Sequence, residues 1–299
     1  KFYSACRGKG VKPILGADVL LEPAAALPGG DRQPSRLLLL VQSNAGYLNL
    51  CELLARAWVH NAQHAQAWLK WEWLQELGAG LIALSGADAG ALGAALLAGD
   101  ADRAQAMASR LASLFPGRFY IELQRAGLPG NEEHVQAAVA LAAQAQLPVV
   151  ATHPIQFLHR DDFEAHEARV CIAEGEALAN PRRVKRFSRE QYFKTQAQMA
   201  ALFADLPSAL VNTVQIARRC NLRLVLGKPQ LPDFPTPLVD GRRMAPDDYF
   251  RQASHEGLER RLGSLYPDAA RRDKERPRYV ERLEFELATI IKMGFPGYF

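Results

Sequence analysis

Arg36-Leu37-Leu38-Leu39-Leu40-Val41-Gln42, followed by Asn44-Ala45-Gly46 and then by residues 47–60, is the stretch whose reading decides the fold. The apolar run 37–41 has the length of a buried strand and falls far short of the roughly 20 residues that a membrane span needs. Asn44-Ala45-Gly46 reads as a turn, and Leu48, Leu50, Cys51, Leu54 and Trp58 recur at helical spacing, so a core-facing helix is predicted over residues 47–60. Strand, turn and helix together make one β-α unit.

The same alternation continues on both sides. Strands are predicted over residues 12–21, 36–42, 80–85, 119–123 and 148–152, and helices over 90–98, 102–115 and 132–146. A chain built this way is α/β, with a largely parallel sheet or barrel covered by helices. Residues 24–34 hold two prolines and two glycines and read as an exposed loop. A helix-rich stretch covers 188–220. Residues 222–237 then carry Pro229, Pro232, Pro235 and Pro237, which cannot sustain a helix, and a domain boundary is expected there. Beyond it, residues 247–265 and 278–293 read as two charged amphipathic helices. In the second, Val280, Leu283, Leu287, Ile290 and Ile291 share a face.

The 299 residues are 48% apolar, enough for a substantial core, and 36 basic against 32 acidic residues give a net charge of +4. That bias permits nucleic-acid contact without arguing for it. Cys6, Cys51, Cys171 and Cys220 are scattered, with neither zinc-ribbon spacing nor a disulfide framework, so a cytoplasmic location and no membrane association are expected. The chain opens on Lys1 and closes on Gly297-Tyr298-Phe299, which reads as an internal segment of a longer protein.

A set of phrases in fixed order goes beyond fold class. Gly10-Val11-Lys12-Pro13-Ile14-Leu15-Gly16-Ala17-Asp18 resembles the second block of the polymerase and histidinol phosphatase (PHP) superfamily. Asn44-Ala45-Gly46-Tyr47-Leu48-Asn49-Leu50 resembles a phrase of the alpha subunits of bacterial C-family replicative DNA polymerases. Leu84-Ser85-Gly86, residues 119–125 and 148–157, Asp162-Phe163-Glu164-Ala165-His166-Glu167 and residues 202–210 follow in the same order. Met293-Gly294-Phe295-Pro296-Gly297-Tyr298-Phe299 is similar to the phrase that opens the catalytic palm of those polymerases. The resemblance implies a distorted β/α barrel of the PHP type over residues 1–221 with its N-terminal part missing, a Pro-rich linker over 222–240, and a truncated helical palm entry over 241–299.

Active members of the superfamily hold a cluster of divalent metals on His, Asp, Glu and Cys ligands and hydrolyse phosphoesters. Such metals polarise phosphate and lower the pKa of bound water. By resemblance, five of the ligand positions fall within this chain: Asp18, Arg36, Ala87, Pro154 and Gln156. Asp18 keeps a donor. Arg36 stands where His is expected, and a guanidinium offers no lone pair; Ala87, Pro154 and Gln156 lack a usual ligand atom. An upstream H-x-H block would precede Lys1. His153 is a substitute donor one position early, but on a strand that shift points it to the wrong face. Arg36 facing Asp18 would put a fixed positive charge in the site that a metal once neutralised.

Other features have a functional and a plain reading. Asp162 and His166 share a helix face, yet Asp161 and Asp162 suit a helix start and His166 suits the scaffold. His60, His64, His134, His159 and His255 have no partner at ligand spacing. Trp58, Trp68, Trp71 and Trp73 suit core packing and anchoring better than base stacking. From Arg182 to Lys194, six basic side chains against one Glu could touch phosphate or form a solvated face. The Gly86-to-Gly90 run lacks the Lys and Ser of a P-loop.

The resemblance therefore implies a parent enzyme that performs template-directed DNA synthesis, with Mg2+ held by palm aspartates beyond Phe299 and no cofactor firmly expected in this segment. The PHP part would be a degenerate structural module that docks the proofreading exonuclease (epsilon) subunit, contacts the rest of the alpha subunit and meets DNA through the parent. The alternative is a metal-dependent PHP phosphoesterase or 3′-5′ exonuclease.

Overall fold

The computed structural model describes residues 1–23, 33–63, 65–228 and 232–299. Most of the loop expected over 24–34, together with His64 and Pro229, lies outside them. Two compact units are present, Lys1–Leu224 and Val225–Phe299.

In the first unit the elements run α1 (Phe2–Gly8), β1 (Gly16–Leu21), β2 (Ser35–Val41), α2 (Asn44–His60), β3 (Ala62–Gln63), β4 (Gln66–Leu69), α3 (Trp71–Leu77), β5 (Leu81–Leu84), α4 (Ala91–Leu97), α5 (Ala101–Leu114), β6 (Phe119–Gln124), α6 (Asn131–Ala145), β7 (Val149–Thr152), α7 (Phe163–Glu174), α8 (Gln196–Leu202) and α9 (Pro207–Arg219). The strands form one seven-stranded mixed sheet in the order β3-β4-β1-β2-β5-β6-β7. β5, β6 and β7 are parallel, as is the β1-β4 pair, but β2 is antiparallel to both of its neighbours, β1 and β5. This corrects the largely parallel arrangement expected. Only the 13 residues 22–34 separate β1 from β2, at the lower limit of the dozen or more that a parallel crossover needs, so the antiparallel return is the shorter route.

Leu37, Leu39 and Val41 of β2 are fully buried on one face, each such side chain contributing about 1.5–3 kcal/mol. They join Leu53, Leu74, Leu92, Met107, Phe115 and Leu123 in the main core. On the opposite face Ile82, Leu84, Tyr120 and Val150 pack with Ile216 and Cys220, the C-terminal residues of α9 and its cap. α9 is tied down by Asn212, whose amide donates to the Val149 carbonyl (2.8 Å), and by Arg219, which donates to the Tyr120 hydroxyl (2.8 Å). The N-terminal segment is fastened to the end of the unit: Lys12 Nζ donates to the Ala217 carbonyl (2.7 Å) and to Asn221 Oδ1 (2.8 Å), and the Leu224 amide donates to the Tyr3 hydroxyl (3.2 Å).

Asn44-Ala45-Gly46 is the first turn of α2, not a turn preceding it, because the Ser43 hydroxyl accepts from the Gly46 amide (3.3 Å) and caps the helix. A Cβ on Gly46 would lie 1.9 Å from the Gly80 carbonyl oxygen, so only glycine allows α2 to meet the β5 entry. The helix buries Gly46, Leu50, Leu53 and Ala57, which leaves Leu48, Cys51 and Trp58 facing outward, contrary to expectation. Trp58 is 59% exposed; of the four tryptophans it is Trp71 that is buried, with its indole N–H on the Glu22 carbonyl and the Arg110 guanidinium 3.9 Å from its ring centre.

The second unit carries a short hairpin, β8 (Leu238–Val239) and β9 (Arg242–Arg243), then α10 (Pro246–Leu265) and α11 (Ala269–Lys292). α11 starts nine residues earlier than the predicted 278, since the Asp268 carboxylate caps the Arg271 amide (2.8 Å) and Pro277 is carried inside the helix. Arg251 and His255 of α10 both engage Glu284 of α11, at 3.0 and 2.7 Å.

Candidate functional site: a guanidinium among carboxylates

The register of β1 and β2 pairs Asp18 with Leu38 and Leu20 with Arg36, so Asp18 and Arg36 are diagonal neighbours on one face. Arg36 grips Asp18 with two bonds, Nε to Oδ1 at 2.7 Å and Nη2 to Oδ2 at 3.2 Å. Its remaining nitrogen, Nη1, reaches the Gly86 carbonyl (3.3 Å) and Glu122 Oε2 (3.4 Å). Burial opposes the Arg36 charge, but Glu122, Asp18 and Asp88 together outweigh it and hold the guanidinium above its ordinary pKa.

Glu122 is the residue that sequence reasoning did not single out. It is 1% exposed in the middle of β6, a strand buried along its whole length. A carboxylate there needs partners. Besides Arg36, Thr152 donates its hydroxyl to Oε1 (2.5 Å) and Gln124 its amide (3.0 Å), while the buried Ser85 hydroxyl accepts from the Glu122 backbone N–H (2.9 Å). The detectable signal is one acid flanked by Phe119, Tyr120, Ile121 and Leu123 in an otherwise apolar strand. The cluster lies at the carboxyl ends of β6 and β7, on the face α9 partly covers; this is where open α/β sheets place their sites.

Ala87 is buried in the turn after β5, next to Gly86. Gly86 has φ of +84°, and a Cβ there would be 2.2 Å from the Arg36 carbonyl oxygen. Asp88 of the same turn accepts from the Asn131 amide (3.1 Å). The backbone of Pro154 and Gln156 is tied to Gln191: the Pro154 carbonyl accepts from the Gln191 side-chain amide (3.2 Å), and the Gln156 backbone N–H donates to the Gln191 carbonyl (2.8 Å). His153 Nε2 donates to the Glu190 carbonyl (2.8 Å), so its ring is turned to the 188–194 segment.

Among the described residues, no group of three or more His, Cys, Asp and Glu side chains is arranged to hold a metal ion. The donor set around Arg36 does not fit a divalent cluster, because the cation is already supplied by the guanidinium lying between Asp18 and Glu122.

His166 packs edge-on against Phe187 (4.7 Å between ring centres) and beside Phe157, and burial, aided by Arg169, lowers its pKa. Its neighbour Glu167 forms a buried ion pair with Arg183 (2.7 Å). Asp162 caps the helix start by accepting from the His159 amide (2.9 Å). Of the basic run, Arg186 pairs with Glu174 and Lys194 with Glu190, while Arg189 lies over Phe163.

A family model described as PHP domain matches residues 1–126, the part of the chain that carries β1 to β6. Over its whole length the chain is similar to proteins named DNA polymerase III subunit alpha. It is 49% identical over 300 residues to the protein named DNA polymerase III subunit alpha from Pseudomonas aeruginosa PAO1, 50% over 306 residues to that of Neisseria meningitidis serogroup A, and 43% over 299 residues to that of Escherichia coli K12. Each comparison covers all of this chain and 25–26% of the relative, so the chain spans about a quarter of the length of the curated relatives it matches.

Proposed function

We propose that this chain is a segment of a replicative, DNA-directed DNA polymerase, in which residues 1–221 are the PHP domain, 222–240 a linker and 241–299 the entry to the palm. Supporting this is the 43–50% identity to alpha subunits over the whole chain. On this reading the synthesis chemistry, with Mg2+ that lowers the pKa of the attacking hydroxyl and neutralises the phosphates, belongs to parts of the enzyme beyond residue 299. The working location is the cytoplasm; among the described residues no helix is long and apolar enough to cross a membrane.

The role assigned to the PHP segment is that of a scaffold that has exchanged its metal site for an ion-pair network. Asp18, Arg36, Ala87, Pro154 and Gln156 mark the former ligand positions. The single observation that carries this reading is the Arg36 guanidinium bound to Asp18 and Glu122. The chain supplied with Mn2+ or Zn2+ is expected to release no nucleotide from a 3′-labelled oligonucleotide. Metal-dependent release that disappears in Asp18→Ala would overturn the assignment and favour the phosphoesterase reading. The scaffold is further assigned the docking of the proofreading exonuclease (epsilon) subunit within the polymerase core; retention of that subunit by the immobilised chain tests it, and failure to retain it at micromolar concentrations counts against it.

A further inference from the structure

A pocket of about 320 Å3 in the first unit is lined by Arg7, Lys12, Pro13, Asn221, Leu222 and Arg223. Pro13 and Leu222 form its buried floor, and the other four residues are exposed around it. Two long-range contacts assemble it. Lys12 is held by Ala217 and Asn221, and the Tyr3 hydroxyl accepts from the amide of Leu224, which brings α1 with Arg7 against the segment that carries Arg223.

Among the described residues nothing compensates the charge in this pocket. Arg56, Arg125, Arg183 and Lys194 each carry an ion pair, whereas Arg7, Lys12 and Arg223 have none among the described residues, and no acid lines the pocket. The acceptor side chain there is already engaged, because Asn221 Oδ1 accepts a hydrogen bond from Lys12 Nζ while its amide N–H donates to the Arg218 carbonyl (2.8 Å). What faces the cavity is a set of donors from three cations, two of them guanidinium forks. A ligand that satisfies them is compact, rich in acceptor oxygens and anionic. We propose that this pocket binds a phosphate group, either free or within a nucleic-acid backbone. The site is separate from the Arg36 cluster and does not depend on the polymerase reading.

The test titrates the full chain with inorganic phosphate, with chloride at equal ionic strength as the reference, and reads heat and melting temperature. Saturable binding is expected, weakened about tenfold by either Arg7→Ala or Arg223→Ala. Both side chains are exposed and carry no ion pair among the described residues, so unchanged circular dichroism is expected to confirm that the variants fold; Lys12→Met is a third variant. In a second arm a labelled single-stranded oligonucleotide is added. Displacement of the oligonucleotide by phosphate, with a shallower salt dependence in the double variant, assigns the phosphate to nucleic acid. Phosphate binding without competition assigns it to a free anion. Phosphate that fails to saturate, or binds the double variant as it binds the parent, overturns the proposal.

Discussion

Arg36 is the cation that faces the buried Glu122 carboxylate, at 3.4 Å. With Arg36 shortened to an uncharged side chain, Glu122 keeps Thr152 and Gln124 but loses its cation inside the sheet. Breaking a fully buried pair costs about 3–5 kcal/mol, and partial exposure of Arg36 together with the long 3.4 Å contact reduces this to about 1–2 kcal/mol. Arg36→Met is therefore expected to lower stability in urea by about 1–2 kcal/mol, and the Arg36→Met, Glu122→Gln double variant to lose less than the sum of the single changes. Strict additivity would contradict the coupling. The Asp18–Arg36 half of the cluster was legible in the sequence through the PHP resemblance. Glu122 was not, since one carboxylate in an apolar strand gains meaning only when the sheet brings Arg36 from β2 beside it.

At the level of elements, the strands around residues 36–42, 80–85, 119–123 and 148–152 were legible because each is an apolar run between turn residues. β3 and β4 escaped notice: they span two and four residues with no alternation to read. The reversal of β2 was hidden as well, because strand direction is set by the connection and not by side-chain pattern. The N-terminus of α11 was misplaced because its first turns are charged and Pro277 looks like a boundary, although Asp268 caps the helix further upstream. The meeting of α2 with the β5 entry yields a sharp expectation. Gly46→Ala places a Cβ 1.9 Å from the Gly80 oxygen, which only a backbone shift can relieve, and a loss of about 3 kcal/mol or failure to fold is expected in urea titrations. A change under about 0.5 kcal/mol would show that the contact is looser than described.

For the whole molecule, the division after Leu224 predicts that limited proteolysis cleaves near Val225 and Leu226, both well exposed, and leaves a product of residues 1–224 with its own cooperative melting transition. A product that melts without cooperativity would count against independent folding. The first unit also carries an acid sensitivity. Burial lowers the pKa of His134, His153 and His166 below the ordinary 6.5, so below that value the unfolded chain binds more protons than the folded one. Stability is thus expected to fall as pH drops, with a lower urea midpoint at about pH 5.5 than at about pH 7.5; a midpoint equal or higher at the acid value would refute it.

The contacts of Tyr3 and Lys12 bear on how the molecule is made. Their partners lie 221 and 209 residues further along, so during synthesis residues 3–12 leave the ribosome long before their seat exists. Nascent chains stalled ahead of residue 217 would expose that segment to proteases and chaperones, and release past residue 224 would close it. The first unit is accordingly expected to close only once residues 217–224 have been made.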